Sequence, residues 1–394
     1  MFELFSNTVA QARPHVTQVL PRDFLLMSVG RKRRELTRDQ SLQISAAINA
    51  NLAIEAVINA FRDLGGGVDT GSLQWQRKLA AQELYRVANT ETPYGKVCQI
   101  TTVAAKCGDL DIYHVSPFAL LSHAVGVSEL FANFIRSLIN ATPDGALDLV
   151  FYLDKAVPGN IKRPDLARST QCVYWSCAQF PAWFRSRRCG WIPFAYVLAK
   201  DQKTVSLTDS MLVRFIVRVF NGEGNVLTMR EGFAVHCHDG ILRITCRTRL
   251  TVADWEQHMK TFNLLGYNAC VPCGICRNVL GRCPYFVDPY LVHVDSHEYA
   301  RFDKHTTASL FEVCDRVKHI AETESAKRLK AEEKATGIKY DPDGLMWDTH
   351  VRSIMTPPFC EGPDWMHTYA ASGGVGQYEV IRCLISSRSL RLCE

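Results

Sequence analysis

Apolar positions change period near Leu147. Before that point their spacing is helical. Thr37 stands as an N-cap ahead of an amphipathic stretch that runs to about Phe61, where Leu64-Gly65-Gly66-Gly67 stops it. A second helical stretch covers about Leu73 to Ala88, ended by Pro93-Tyr94-Gly95, and a third about Pro117 to Asn140. Residues 1–140 are therefore predicted to be mostly helical. From Leu147 the pattern becomes that of strands. Residues 147–154 (Leu-Asp-Leu-Val-Phe-Tyr-Leu-Asp) are apolar on both faces, as in a central strand. Residues 171–178 and 191–199 follow across turn-rich segments, which predicts a three-stranded antiparallel meander. Residues 206–220 form an amphipathic helix whose apolar side includes Leu207, Leu212, Phe215, Ile216 and Val219. Residues 241–250 alternate, giving a strand with Arg243, Arg247 and Arg249 on its outer face, and residues 253–265 are again helical.

The order β-β-β-α-β-α is that of an RNase H-like core with a mixed sheet. In such a core the carboxylates lie at the end of the first strand and near the fourth, the places of Asp154 and Asp254. The predicted organisation is a helical N-terminal region (1–140), the first part of the core (147–265), an insertion (266–362) and a C-terminal part of the core (363–394). Within the insertion, residues 316–336 are predicted to form one charged helix laced with i,i+4 pairs.

Composition narrows the classes little. The chain has 394 residues, 47% hydrophobic and 22% charged, as in an ordinary globular protein. The formal charge of +5 permits a nucleic-acid partner without requiring one. No run reaches the roughly 18 apolar residues of a membrane span. No basic n-region followed by an apolar core opens the chain, so no signal peptide is expected. The cysteines number 15, an odd count without a secretory signal, so reduced thiols in an intracellular compartment are expected.

Candidate chemistry gathers at a few positions. Asp154 closes a buried strand before Pro158-Gly159-Asn160; it is either a turn-initiating carboxylate or one that needs a cation. Asp254 precedes Trp255-Glu256-Gln257-His258, where it either caps the helix or joins Asp154 at a site. Cys273-Gly-Ile-Cys276 is a CxxC knuckle, and Cys270 with Cys273 forms an overlapping one. Such a pair supplies half of a zinc site, with the other half from Cys283, His293 or His297 nearby or from His367 far downstream. Asp364-Trp365-Met366-His367 has i,i+3 spacing on a helix that Pro357, Pro358 and Pro363 introduce, and Glu379 follows. Converging carboxylates such as Asp154, Asp254 and Glu379 hold divalent ions for in-line displacement at phosphorus, and all-oxygen ligands suit magnesium or manganese.

In their order and spacing these motifs resemble the DDE transposases of the CACTA and related groups, in particular transposon-derived proteins of protist genomes, including dinoflagellates. The matching elements are Tyr152-Leu-Asp154 with Pro158-Gly-Asn160, then Val252-Ala-Asp254, Cys273-x-x-Cys276-x-Asn278-Val279, Asp364-Trp-Met-His367 and Glu379, spanning about residues 147–380. Lys155 stands where the family more usually has an acidic residue. The resemblance implies an RNase H-like fold with a zinc-bearing insertion and metal-dependent cleavage and transfer of DNA strands. Asp154, Asp254 and Glu379 would be catalytic with Mg2+ or Mn2+, and Cys273, Cys276, Asp364 and His367 would hold Zn2+. The partner would be double-stranded DNA at transposon ends, contacted by Arg31, Lys32, Arg33 and Arg34 and by Arg243, Arg247 and Arg249. Nuclear residence and self-association are implied, with no membrane. The alternative is a catalytically inactive, zinc-stabilised DNA-binding relative.

Overall fold

The computed structural model describes residues 86–157, 159–160, 163–164, 169–186, 190–222, 228–281, 290–293, 296, 298–355 and 361–363. It is a mixed α/β fold around one large, curled, mixed sheet. In chain order the main elements begin with the hairpin strands β1 (Cys98–Ala105) and β2 (Gly108–Val115). Helices α1 (Pro117–Val127) and α2 (Glu129–Ala141) follow, then strands β3 (Ala146–Ala156), β4 (Thr170–Cys177) and β5 (Ile192–Leu198). Helices α3 (Ala199–Val205) and α4 (Asp209–Asn221) lead to β6 (Phe233–Cys237), β7 (Gly240–Ala253) and α5 (Trp255–Thr261). A two-stranded ribbon, β8 (Val279–Leu280) with β9 (Val292–His293), precedes α6 (Thr307–Thr323), α7 (Ala326–Thr336), α8 (Thr349–Ile354) and β10 (Glu361–Pro363).

The strand order is β6-β7-β3-β4-β5-β2-β1, with β10 also on β7. β3, β4 and β5 form the expected antiparallel meander, with Phe151 opposite Trp175 and Val173 opposite Ala195. β7 returns parallel to β3, Tyr152 opposite Val252, and β10 runs parallel to β7, Ala253 opposite Pro363. A parallel neighbour requires a crossover, and α4 supplies it. Thr208 caps α4 by accepting from the Met211 amide at 3.2 Å. The buried side of α4 presents Leu212, Phe215, Ile216 and Phe220 to the core. Phe220 stands edge-on to Phe151 and Trp175, with ring centroids 4.9 and 5.6 Å away, and Phe194 lies at 5.6 Å. At about 25 cal/mol per Å2 and 150–250 Å2 per ring, each such aromatic contributes roughly 4–6 kcal/mol of transfer free energy, as an upper estimate.

Three expectations need correction. Residues 98–115 fall between the second and third predicted helices, in a region expected to be mostly helical, and they form the β1–β2 hairpin. The run Ile100-Thr-Thr-Val103 is β-branched and pairs register by register with Gly108–Val115, and β2 then joins β5 through His114 opposite Ala195. The third helical stretch is two helices that turn by 117° at Ser128, whose side chain accepts from the Phe131 amide at 3.2 Å. The charged helix predicted at 316–336 is likewise broken, because Ser325 caps a new helix by accepting from the Arg328 amide at 3.3 Å. The sheet curls, so that Tyr94 and Phe118 reach Phe233 on the far edge strand, at 5.5 and 5.0 Å between centroids. Among the described residues no single helix is long and apolar enough to cross a membrane.

His114 on β2 is a titratable group inside this core. It is 2% exposed, lies over Phe194 at 5.2 Å, meets Phe215 edge-on at 5.6 Å, and shares a hydrogen bond of 3.0 Å between Nε2 and Thr101 Oγ1. Burial pushes its pKa down from 6.5 to about 4, with the Val115 backbone offsetting a little. The folded protein therefore resists a proton that the unfolded chain accepts. The stability this gives is whole above about pH 6.5 and is lost as pH falls towards 4. Between pH 7 and 5 the wild type is expected to lose roughly 2 kcal/mol through this group. Urea unfolding at both pH values checks this: His114→Gln flattens the difference, and an equal slope in both proteins refutes the assignment.

Candidate active site and cysteine knuckle

The two candidate aspartates stand at the carboxyl ends of β3 and β7. The last parallel pair is Tyr152 opposite Val252. Two residues further along each strand stand Asp154 and Asp254. The Asp254 backbone is still extended, with φ −67° and ψ 166°. The paired register ends at Tyr152 and Val252, with Asp154 still inside β3 and Asp254 just beyond β7 as the N-cap of α5. Asp154 also pairs with Cys172 on β4, and its charge is felt by Cys172 and Tyr174 on that face. Burial, with the Asp154 charge behind it, pushes the Cys172 thiol up to about 11.

Each aspartate has local work as well. Asp154 Oδ1 accepts from the Lys155 amide at 2.7 Å. Asp254 caps α5, its Oδ1 accepting from the Gln257 amide at 2.6 Å. That cap starts α5 two residues later than predicted, and Asn263, with φ of 55°, follows its end.

Sequence reasoning missed Asp209, the first residue of α4. Burial raises its carboxyl pKa, against the opposing pull of Lys260, a Gln257 hydrogen bond and Lys155. Lys260 Nζ lies 2.5 Å from Glu256 Oε1 and also feels Asp209 and Asp254. Glu256 is held below the ordinary range, first by its bond to Lys260. Asp209, Asp254 and Glu256 thus share the field of the Lys260 ammonium, and Asp209 and Glu256 also feel Lys155. The signal available in the sequence was Thr208-Asp209, a cap and first-turn acid at the start of the crossover helix.

The second candidate element is the knuckle. The Cys276 amide donates to Cys273 Sγ at 3.2 Å, so one tight turn presents both sulfurs. Asn278, 1% exposed, stitches this turn to the rest of the insertion. Its Nδ2 donates to the carbonyls of Tyr290 and Arg301 at 2.9 and 2.8 Å, and its Oδ1 accepts from the Asp303 amide at 2.8 Å. Burial first and the neighbouring Cys273 next push the Cys276 thiol up to about 12. Two thiols on one turn are the half of a zinc site that the spacing suggested. Among the described residues no group of three or more His, Cys, Asp and Glu side chains is arranged to hold a metal ion. Glu379, Asp364, His367, Cys283 and His297 lie outside the described residues, as do Arg31, Lys32, Arg33 and Arg34.

Arg243, Arg247 and Arg249 are all exposed on β7, as the alternation predicted. They are not equivalent cations. Arg247 is held by Asp144 and by Asp148, the latter at 2.9 Å, so its charge is already matched. Arg243 donates to the Glu231 carbonyl at 2.5 Å. Arg249 sits at the β-bulge between Thr248 and Leu250.

No protein-family model and no curated protein matches the chain. The site is therefore argued from its own residues.

The cap predicts how stability responds at Asp254. Asp254→Ala is expected to cost about 1 kcal/mol, because the Gln257 amide loses its acceptor, whereas Asp254→Asn, itself a good cap, stays within a few tenths. Chemical denaturation of the two variants tests this, and equal losses would remove the cap from the account.

Proposed function

We propose that the sheet is an RNase H-like core and that the protein is a transposon-derived, DDE transposase-like enzyme. It would cleave and transfer DNA strands by in-line attack at phosphodiesters. The observation that carries this reading is that Asp154 and Asp254 both stand at the carboxyl ends of adjacent parallel strands, β3 and β7. Strand order supports it: three antiparallel strands, a helix, then a strand returning parallel beside the first, with β10 parallel beyond it. Ligands of open α/β sheets bind at the carboxyl ends of the strands.

Asp154 and Asp254 would hold Mg2+ or Mn2+ through carboxylate oxygens, with Glu379 as the third ligand. Such a cation supplies Lewis-acid charge for attack at phosphorus. The chain's own part is to fix the oxygens. The α5 cap keeps Asp254 in one rotamer, and the β3–β4 pairing holds the end of β3. Lys155 and Lys260 offset the carboxylate repulsion and offer ammonium groups to the DNA backbone. Cys273 and Cys276 would bind a structural Zn2+ with Asp364 and His367, tying the insertion to the segment after β10. Double-stranded DNA at transposon ends is the proposed partner, with Arg243, Arg249 and the basic run Arg31 to Arg34 on its phosphates. Self-association and nuclear residence belong to the same reading.

A second reading, a zinc-stabilised DNA-binding protein without catalysis, is favoured by the commitment of Asp254 to its helix cap. Activity separates the two. Asp154→Asn and Asp254→Asn each preserve shape, and each is expected to lower Mn2+-dependent cleavage of duplex DNA at least about a hundredfold. A wild-type protein that binds DNA and never cuts it selects the second reading.

Zinc is tested separately by metal analysis of the purified full chain. The expected result is close to one zinc per chain, lost in Cys273→Ser and Cys276→Ser together with thermal stability. Full retention of zinc in both variants would take these thiols out of the ligand set.

A further inference from the structure

A second site stands elsewhere in the fold, between the β1–β2 hairpin, the first turn of α1 and the length of α4 from Met211 to Gly222. It is a cleft of about 620 Å3, inside the roughly 300–1,000 Å3 range of small-molecule sites. Tyr94, Phe118, Met211 and Phe215 give it an apolar wall, and His114, Arg214 and Arg218 add nitrogen groups.

His114 is closed to an occupant: its Nε2 is engaged with Thr101 and its Nδ1 is shut off from solvent. The group that lacks full partners is Arg214. Asp348 is the acid facing it, with a side chain 3% exposed. Asp348 Oδ2 is taken by Arg218 at 2.6 Å, and its Oδ1 accepts from the Val351 amide at 3.0 Å. Arg214 Nε is left 3.8 Å from Oδ2, beyond hydrogen-bond reach. The cleft therefore combines a ring-lined wall with a guanidinium that Asp348 does not saturate. A cation is disfavoured by the arginines, and a purely apolar group leaves Arg214 unserved.

We propose that this cleft binds a planar aromatic ligand carrying one anionic group, with the anion on Arg214 and the ring against Phe118 and Phe215. The site is independent of the reading of Asp154 and Asp254, since it needs neither a metal nor DNA.

The test uses the folded full chain and two fluorescent probes of nearly one shape: anilinonaphthalene sulfonate, which is anionic, and phenylnaphthylamine, which is neutral. The sulfonate is expected to bind saturably at a single site and to raise the melting temperature. Arg214→Gln is expected to weaken it by about tenfold or more, the loss of one charge-assisted hydrogen bond. Ala104→Trp, on an exposed position of β1 at the cleft's rim, is expected to block it, and Asp154→Asn to leave it unchanged. If Arg214→Gln fails to fold, Ala104→Trp decides. The proposal is overturned by the absence of a saturable site, by wild-type affinity in every folded cleft variant, or by equally tight binding of the neutral probe.

Discussion

A parallel strand pair cannot be closed by a hairpin. The chain must leave β3, pass along the sheet and return before β7 can lie beside it. In this protein the return is made through the meander β4–β5 and the helix α4, and its register is fixed by what α4 buries. Phe151, Trp175 and Phe194 meet Phe220 on one face of the sheet. A slip of one residue in β3 would turn Phe151 and Leu149 to the opposite face. The same register places Asp154 and Asp254 at the carboxyl ends of adjacent strands.

Much of this was legible along the chain, and the reason is local. The strands at 147–154, 171–178 and 191–199 and the helix at 206–220 have apolar patterns that only one period satisfies. They are found at Ala146–Ala156, Thr170–Cys177, Ile192–Leu198 and Asp209–Asn221. The hairpin at 98–115 was missed because its outward positions carry Ile100 and Thr102 and its turn is short. Pairing partners, rather than the segment's own pattern, decide that it is a strand. The helix breaks at Ser128 and Ser325 were written in single capping residues, which a window of apolar periodicity averages away.

The candidate site was legible only in part, for a different reason. Asp154 and Asp254 are strand-end residues, so a correct strand order makes them neighbours. Asp209 comes from the start of the crossover helix, and nothing in its sequence neighbourhood points to α5. The cleft by α4 was not foreseen at all. It depends on Asp348, which is far from Arg214 and Arg218 in sequence and satisfies them unequally. Alternation did identify the arginine row on β7. It did not show that Asp144 and Asp148 neutralise the middle member, because ion pairing across strands is invisible to a one-dimensional pattern.

Asp254 is where structural and chemical demands meet on one side chain. Two carboxylates at neighbouring strand ends repel, by about 1 kcal/mol at 4 Å in water and several times that near a protein surface. A fold gains nothing from such a pair unless something offsets the repulsion. Three offsets are visible: the Lys155 amide on Asp154, the Gln257 amide on Asp254, and the ammonium of Lys260 beside Glu256, Asp209 and Asp254. The cap also does something a free carboxylate cannot: it engages Oδ1 and fixes the rotamer, leaving Oδ2 in a defined place. A helix cap and a metal ligand need not compete for the same carboxylate, since each asks for one oxygen. The cap thus fixes how the Asp254 carboxylate is presented at the end of β7.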